Sequence, residues 1–176
     1  MSPEKALWYS APTGARRGAA MGLRLDLTAL RPGHNRLHRE ADPADLGLPP
    51  EGWPAPVEVD LDVDRSGDQL TLTGRVRTVA EDDCARCLIR VREPLDAEIE
   101  LHADRAGTGG RHERELAAEA LVLFHDGRSL ELADEVRGAL LLARPMATLC
   151  RPDCRGLCSR CGADLNQDPS HAHAAG

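Results

Sequence analysis

The chain has 176 residues and a formal net charge of −7, with 41% hydrophobic and 29% charged residues. That length can bury roughly 70% of the unfolded surface, enough for a core of its own. No apolar run approaches the ~20 residues of a membrane span, and the N-terminus shows no apolar stretch of a secretory signal. A cytoplasmic protein with no membrane partner is therefore expected.

Aromatic residues are few: Trp8, Tyr9, Trp53 and Phe124. This leaves little room for an RNA-binding sheet that stacks bases on exposed rings. With an acidic balance overall, any nucleic-acid contact must come from a local basic patch. Six cysteines in such a chain point to metal or redox chemistry rather than to a disulfide framework.

Residues 1–20 carry small residues and no steady period. They read as a disordered extension, with Met21 as a candidate start. LRLDL at 23–27 alternates and predicts a short strand. Residues 31–56 are rich in Pro and Gly and read as a long irregular segment wrapping the body.

Val57, Val59, Leu61 and Val63 then alternate with acids. RSGD at 65–68 makes a turn, and the alternation resumes through Leu70, Leu72, Gly74 and Val76. This is a hairpin with one wet face, which accounts for Asp60, Asp62 and Asp64 without a metal. LIRV at 88–91 and LDAEIEL at 95–101 read as a further strand pair bent at Glu93-Pro94. Residues 102–115 read as a mobile loop, ALVLF at 120–124 as a buried strand or helix end, and Asp126-Gly127 as a turn.

Leu132, Val136, Leu140 and Ala143 share one face of a short helix that Pro145 stops. The expected fold class is α+β: an antiparallel sheet or partly closed barrel, one packed helix and a zinc-knuckle tail. The expected organisation is a 1–20 extension, a 21–146 body and a 147–176 tail.

The candidate ligands run Cys84-x2-Cys87, then Cys150-x3-Cys154-x3-Cys158-x2-Cys161, then His171-x-His173. Cys158-Ser-Arg-Cys161-Gly162 has the form of a zinc knuckle, in which two thiolates bite one ion from a tight turn. Eight donors fill two tetrahedral sites if Cys84/Cys87 join Cys150/Cys154 and Cys158/Cys161 join His171/His173. They fill one site if the four tail cysteines close it, leaving Cys84 and Cys87 as a free dithiol. Spacing does not choose between these, so one Zn²⁺ is expected and two remain open.

Packing of the tail cysteines as a helical apolar face is disfavoured by Pro152 and Gly156. A redox role for Cys84 and Cys87 is disfavoured by Glu81, Asp82 and Asp83 just before them, which should raise the thiol pKa. Closed thiolate and imidazole sites favour a structural metal over a catalytic one. No catalytic triad, phosphate loop or convincing carboxylate pair is present, and His34, His38, His102, His112 and His125 read as exposed and scattered. Arg151, Arg155 and Arg160 give the tail local positive charge suited to phosphates.

CARCL at 84–88, LELADEVRGALLLARPM at 130–146 and DCRGLCSRCGADLN at 153–166, in this order, resemble the YceD family of large ribosomal RNA subunit accumulation proteins. LRLDLTALRPG at 23–33 resembles the family's opening, while Ser159 and Gly138 depart from its usual pattern. The resemblance implies a bacterial, cytoplasmic, non-enzymatic factor supporting 23S rRNA synthesis, processing or stability and large-subunit assembly. The implied partner is 23S rRNA or a large-subunit precursor, with no small-molecule substrate. The alternatives are a zinc-stabilised module that docks a basic ribosomal protein through the acidic strand face, including Glu98 and Glu100, and a Cys-x-x-Cys redox protein.

Overall fold

In the computed structural model, residues 23–107 and 122–173 are described. The extension expected at 1–20, and His112, lie outside them. Among the described residues, seven strands and one α-helix follow in chain order. They are β1 (Arg24–Asp26), β2 (Gly33–Ala41), β3 (Val57–Ser66), β4 (Gln69–Asp83), β5 (Arg90–Arg105), β6 (Leu123–His125), β7 (Ser129–Glu131) and α1 (Ala133–Ala143). Five strands form one sheet in the order β2-β3-β4-β5-β6, and β1 pairs with β7 in a second, two-stranded sheet. All pairings are antiparallel except β5 with β6. The fold is α+β with a mixed sheet that stays open, so the barrel alternative is set aside.

The period-2 pattern of β3 and β4 works as expected. Val57, Val59, Leu61 and Val63 are buried, as are Leu70, Leu72 and Val76. Each such side chain contributes ~1.5–3 kcal/mol by leaving water. Helix α1 adds Val136 and Leu140, with Leu132 at its N-cap also buried. Ala143 falls at the frayed end and is exposed. Trp53 is buried beneath the guanidinium of Arg144, whose Cζ lies 5.4 Å from the ring centroid.

Two expectations are corrected. The segment 31–56 contains β2, a nine-residue edge strand. Its sequence GHNRLHREA lacks an apolar alternation because an edge strand facing water on most sides needs none. The expected pair at 88–91 and 95–101 is instead one sixteen-residue strand, β5, running straight through Pro94. Pro94 is tolerated because β6 pairs only with Ala103–Arg105, so among the described strands that edge of β5 is open beside Pro94.

Three acids of the wet face are met by basic side chains across the sheet. Arg36 Nε lies 3.0 Å from Asp62 Oδ1, His38 Nδ1 lies 2.8 Å from Asp60 Oδ1, and Arg75 Nη2 lies 2.9 Å from Glu98 Oε1. Arg77 also pairs with Asp60. Such exposed pairs are screened by water and add little stability each, but they offset part of the row's negative charge. Among the described residues, no helix is long and apolar enough to cross a membrane.

Candidate metal centre

The long β4–β5 hairpin ends in a turn that carries Cys84 and Cys87. Cys84 N donates to Ile89 O at 2.8 Å and Leu88 N to Cys84 O at 3.0 Å, which folds the loop back on itself. Leu88 sits at φ 61, in the left-handed region.

The segment after α1 is strapped across this turn. Ala85 N donates to Thr148 O at 2.8 Å, Leu157 N to Arg86 O at 3.0 Å, and Arg86 Nη1 to Cys154 O at 2.7 Å. Arg144 anchors the strap at its start, with Nε 2.7 Å from Asp82 Oδ2.

This arrangement brings Cys84, Cys87, Cys150 and Cys154 into one cluster. Cys84, Cys87 and Cys154 are buried, with Val91, Leu149 and Leu157 packed around them. Cys84 Sγ lies 3.9 Å from Cys154 Sγ, and Cys87 Sγ lies 3.6 Å from Cys150 Sγ. A tetrahedral ion with ~2.3 Å metal–sulfur bonds sets its sulfurs ~3.8 Å apart, so the cluster has the size of such a site.

Its electrostatics also suit a cation. The backbone N–H groups of Cys150, Arg86 and Cys87 point at Cys84 and bring its thiol down to about 6. Burial, together with the neighbouring thiols of Cys154, Cys87 and Cys84, pushes Cys150 up to about 12. Four crowded sulfurs cannot all ionise without a positive charge among them.

The acids before Cys84 do not raise its pKa as their sequence position suggests. Glu81 is taken by Arg90 and Arg92, Asp82 by Arg144, and Asp83 by Arg90. The backbone donors decide the shift instead.

A second cluster follows along the tail. Cys158 N donates to Ala163 O at 2.8 Å and Gly162 N to Cys158 O at 2.8 Å, closing the knuckle with Gly162 at φ +76. Leu157 bridges Asp164, and Asp168 accepts from Ser170 N and Oγ just before His171. Cys158, Cys161, His171 and His173 come together, with Cys158 Sγ 3.1 Å from His173 Nε2 and Cys161 Sγ 3.2 Å from His171 Nε2. The His173 imidazole, with the N–H groups of Arg160 and Cys161, brings the Cys158 thiol down to about 6.

Each cluster could hold one metal ion. Of the two partitions open in the sequence, the fold follows the one that joins Cys84/Cys87 to Cys150/Cys154.

The basic residues of the tail are placed differently from one another. Arg151 Nη2 donates to Asn166 Oδ1 at 2.7 Å, and Arg155 Nη1 donates to Pro169 O at 3.1 Å. Both brace the tail while remaining exposed. Arg160 is exposed on the knuckle between the two cysteines of the second cluster.

His125, expected to be exposed, is buried, with Nε2 2.8 Å from Asp68 O and Nδ1 accepting from Gly127 N. His34, His38 and His102 are strand residues open to water.

Asn166 was not singled out by spacing. Its Oδ1 accepts from Arg155 N at 2.9 Å, and its Nδ2 reaches Asp164 Oδ1 at 2.8 Å and Cys154 Sγ at 3.6 Å. Its one sequence signal is its place at the end of DCRGLCSRCGADLN.

The profile of the family described as large ribosomal RNA subunit accumulation protein YceD matches residues 72–175, a span that contains both clusters. An uncharacterised protein of Mycobacterium tuberculosis (strain H37Rv) is 30% identical over 173 residues, covering 90% of this chain and 78% of the relative. The chloroplastic large ribosomal RNA subunit accumulation protein YCED homolog 1 of Zea mays is 27% identical over 144 residues, covering 65% of this chain and 47% of the relative. Its Arabidopsis thaliana counterpart is 25% identical, covering 90% of this chain and 50% of the relative. No solved structure matches. The mostly antiparallel body, the cysteine-bearing hairpin tip and the knuckle tail strapped to it are thus those of a chain that belongs to the YceD family.

Proposed function

We propose that this chain is a non-enzymatic factor that supports 23S rRNA synthesis, processing or stability, and with it large-subunit assembly. It acts in the cytoplasm by binding rRNA or a precursor particle. The names of the plant relatives, large ribosomal RNA subunit accumulation proteins, support the process.

The observation that carries the mode of action is the strap. A Zn²⁺ held by Cys84, Cys87, Cys150 and Cys154 ties the tail to the hairpin tip and fixes the surface that bears Arg151, Arg155 and Arg160. Four thiolates in a tetrahedral arrangement suit Zn²⁺ better than the harder Mg²⁺ or Ca²⁺. Arginines on such a fixed turn lose little further freedom on gripping phosphates. Residues 21–146 are the scaffold in this reading, and 147–176 are the contact segment.

Two observations weigh on the alternatives. Asp60, Asp62 and Glu98 already have the cationic neighbours Arg77, Arg36 and Arg75, which leaves less free negative charge for a basic ribosomal protein. Cys84 and Cys87 share their surroundings with Cys150 and Cys154, which suits a shared ion better than an exchanging dithiol.

The test is the 23S to 16S rRNA ratio in cells lacking the protein, restored with the native chain or with Cys84→Ser/Cys87→Ser. The native chain restores a depressed ratio and the variant does not. A ratio that never falls, or that the variant restores in full, contradicts the reading.

A further inference from the structure

The two clusters are built from different donors and stand in different surroundings. Three of the four cysteines in the first are buried, and its ligands come from two segments, the β4–β5 turn and the strap after α1. The second takes all its ligands from residues 158–173, with Cys161 and His173 exposed and Cys158 and His171 half-buried.

We propose that Cys158, Cys161, His171 and His173 form a separate Zn²⁺ site that exchanges its ion with solution while the four-cysteine site keeps its own. This does not depend on any contact with rRNA.

The donor geometry fits one tetrahedral ion. The Nε2 atoms of His171 and His173 lie 3.3 Å apart, close to the ~3.3 Å edge that two ~2.0–2.1 Å metal–nitrogen bonds give. Each sulfur faces an imidazole nitrogen at 3.1–3.2 Å. The rings stand edge to face, at 87° with centroids 4.8 Å apart, so two nitrogens converge without the rings stacking.

Outer contacts fix the ligands. The backbone N–H of His171 donates to Asp168 O at 3.2 Å, which holds the chain at this ligand. Gly162 at φ +76 lets the knuckle close behind Cys161. Two thiolates with two imidazoles select Zn²⁺ over harder cations such as Mg²⁺ and Ca²⁺.

Exchange follows from access and from the local ligand set. A chelator can approach the second ion from the side of Cys161 and His173, whereas the first is screened by Val91, Leu149 and Leu157. Losing the second ion frees only the end of the tail. Losing the first undocks the whole tail from the hairpin, so many contacts oppose it.

The site therefore lets ion supply reach the segment that carries Arg160 without unfolding the body.

The experiment uses the full chain loaded with Zn²⁺, and separately with Co²⁺. Bound metal is counted by native mass spectrometry, and its release to a chromophoric chelator is followed in time. Two ions per chain are expected, leaving in two phases that differ by roughly tenfold or more in rate. His171→Ala/His173→Ala, and independently Cys158→Ser/Cys161→Ser, should abolish the fast phase and leave one slow ion. The remaining Co²⁺ spectrum should be that of a four-thiolate site, with unchanged far-ultraviolet circular dichroism.

One ion per chain that both variants retain overturns the proposal. So do two ions leaving in a single phase, or two ions still bound by the histidine variant. One ion that vanishes in the histidine variant overturns the contrast between sites, and with it the buried zinc invoked for the function. The contrast rests on the four-cysteine zinc of the proposed function, but the rRNA ratio is read separately, so loss of the fast ion alone leaves that function standing.

Discussion

Gly156 lies so close to Arg86 that a Cβ at its position would stand 2.7 Å from the Arg86 carbonyl oxygen. That carbonyl accepts from Leu157 N, so the tail backbone is laid directly on the tip of the β4–β5 hairpin. Gly156 also holds φ +77. Alanine there meets both a backbone clash and a left-handed penalty of ~1–2 kcal/mol. Gly156→Ala should therefore loosen the tail and raise thiol reactivity at Cys87 and Cys154. Gly162→Ala, with open space around its Cβ, meets only the conformational penalty. Thiol titration of the two variants side by side checks this, and equal reactivity contradicts the contact.

Arg144 ties three parts of the molecule together. It ends α1, bonds Asp82 at the end of β4 and covers Trp53. The pair is partly shielded, with side-chain exposures of 26% and 29%. Arg144→Met should cost ~1–3 kcal/mol in urea unfolding, because it strands Asp82 and removes the cation over the ring. Asp82→Asn should cost less, and the double variant should fall short of the sum. Strict additivity contradicts a direct pair.

Much of this frame could be read beforehand, and the limits have physical causes. The β3–β4 hairpin was legible because one face is buried and the other wet, which writes a period of two into the residues. Helix α1 was legible for the same reason at its own period. β2 was not, because an edge strand held by backbone pairing and ion pairs leaves no apolar trace. β5 was broken at Pro94 because the sequence does not show which edge of a strand is open.

At the site, all eight ligand candidates could be named from their type and spacing. Their partition could not, since it depends on the strap that brings residue 154 back to residue 84. The lowered thiol at Cys84 was hidden for a related reason. Backbone N–H groups leave no mark in sequence, whereas the acids beside them do.

Asn166 has an expected effect that separates it from an ordinary turn residue. Its amide donates to Cys154 Sγ while its carbonyl oxygen gathers Arg151 and the Arg155 N–H. Asn166→Ala removes a donor to the sulfur of a candidate ligand and should weaken metal retention at the four-cysteine cluster by roughly tenfold. Asn166→Asp keeps the acceptor for the arginine but not the donor for the sulfur, so it should weaken retention as well. Competition against a chelator of known affinity measures both. Retention unchanged in Asn166→Asp contradicts a role for the N–H···S contact.

Acid should act on the sheet through Asp60. The hydrogen bond with His38, and then the charge of Arg77, hold its carboxyl below the ordinary 3.8. A carboxyl depressed in the folded state adds stability above its unfolded value, and that stability is lost as pH falls through the folded one. Between about pH 5 and pH 3, the native chain should lose thermal stability more steeply than Asp60→Asn. Parallel slopes contradict the pairing.

The central claim is that the strapped tail is the surface that meets large-subunit rRNA. The most direct measurement is co-sedimentation of the full, metal-loaded chain with large-subunit precursor particles over a range of salt. The native chain is set beside Arg160→Glu, which alters an exposed side chain on the knuckle. Binding that falls with salt, and falls roughly tenfold or more in Arg160→Glu while metal content is unchanged, is the predicted result. Equal binding by both chains at every salt concentration would contradict it and move the contact away from the tail.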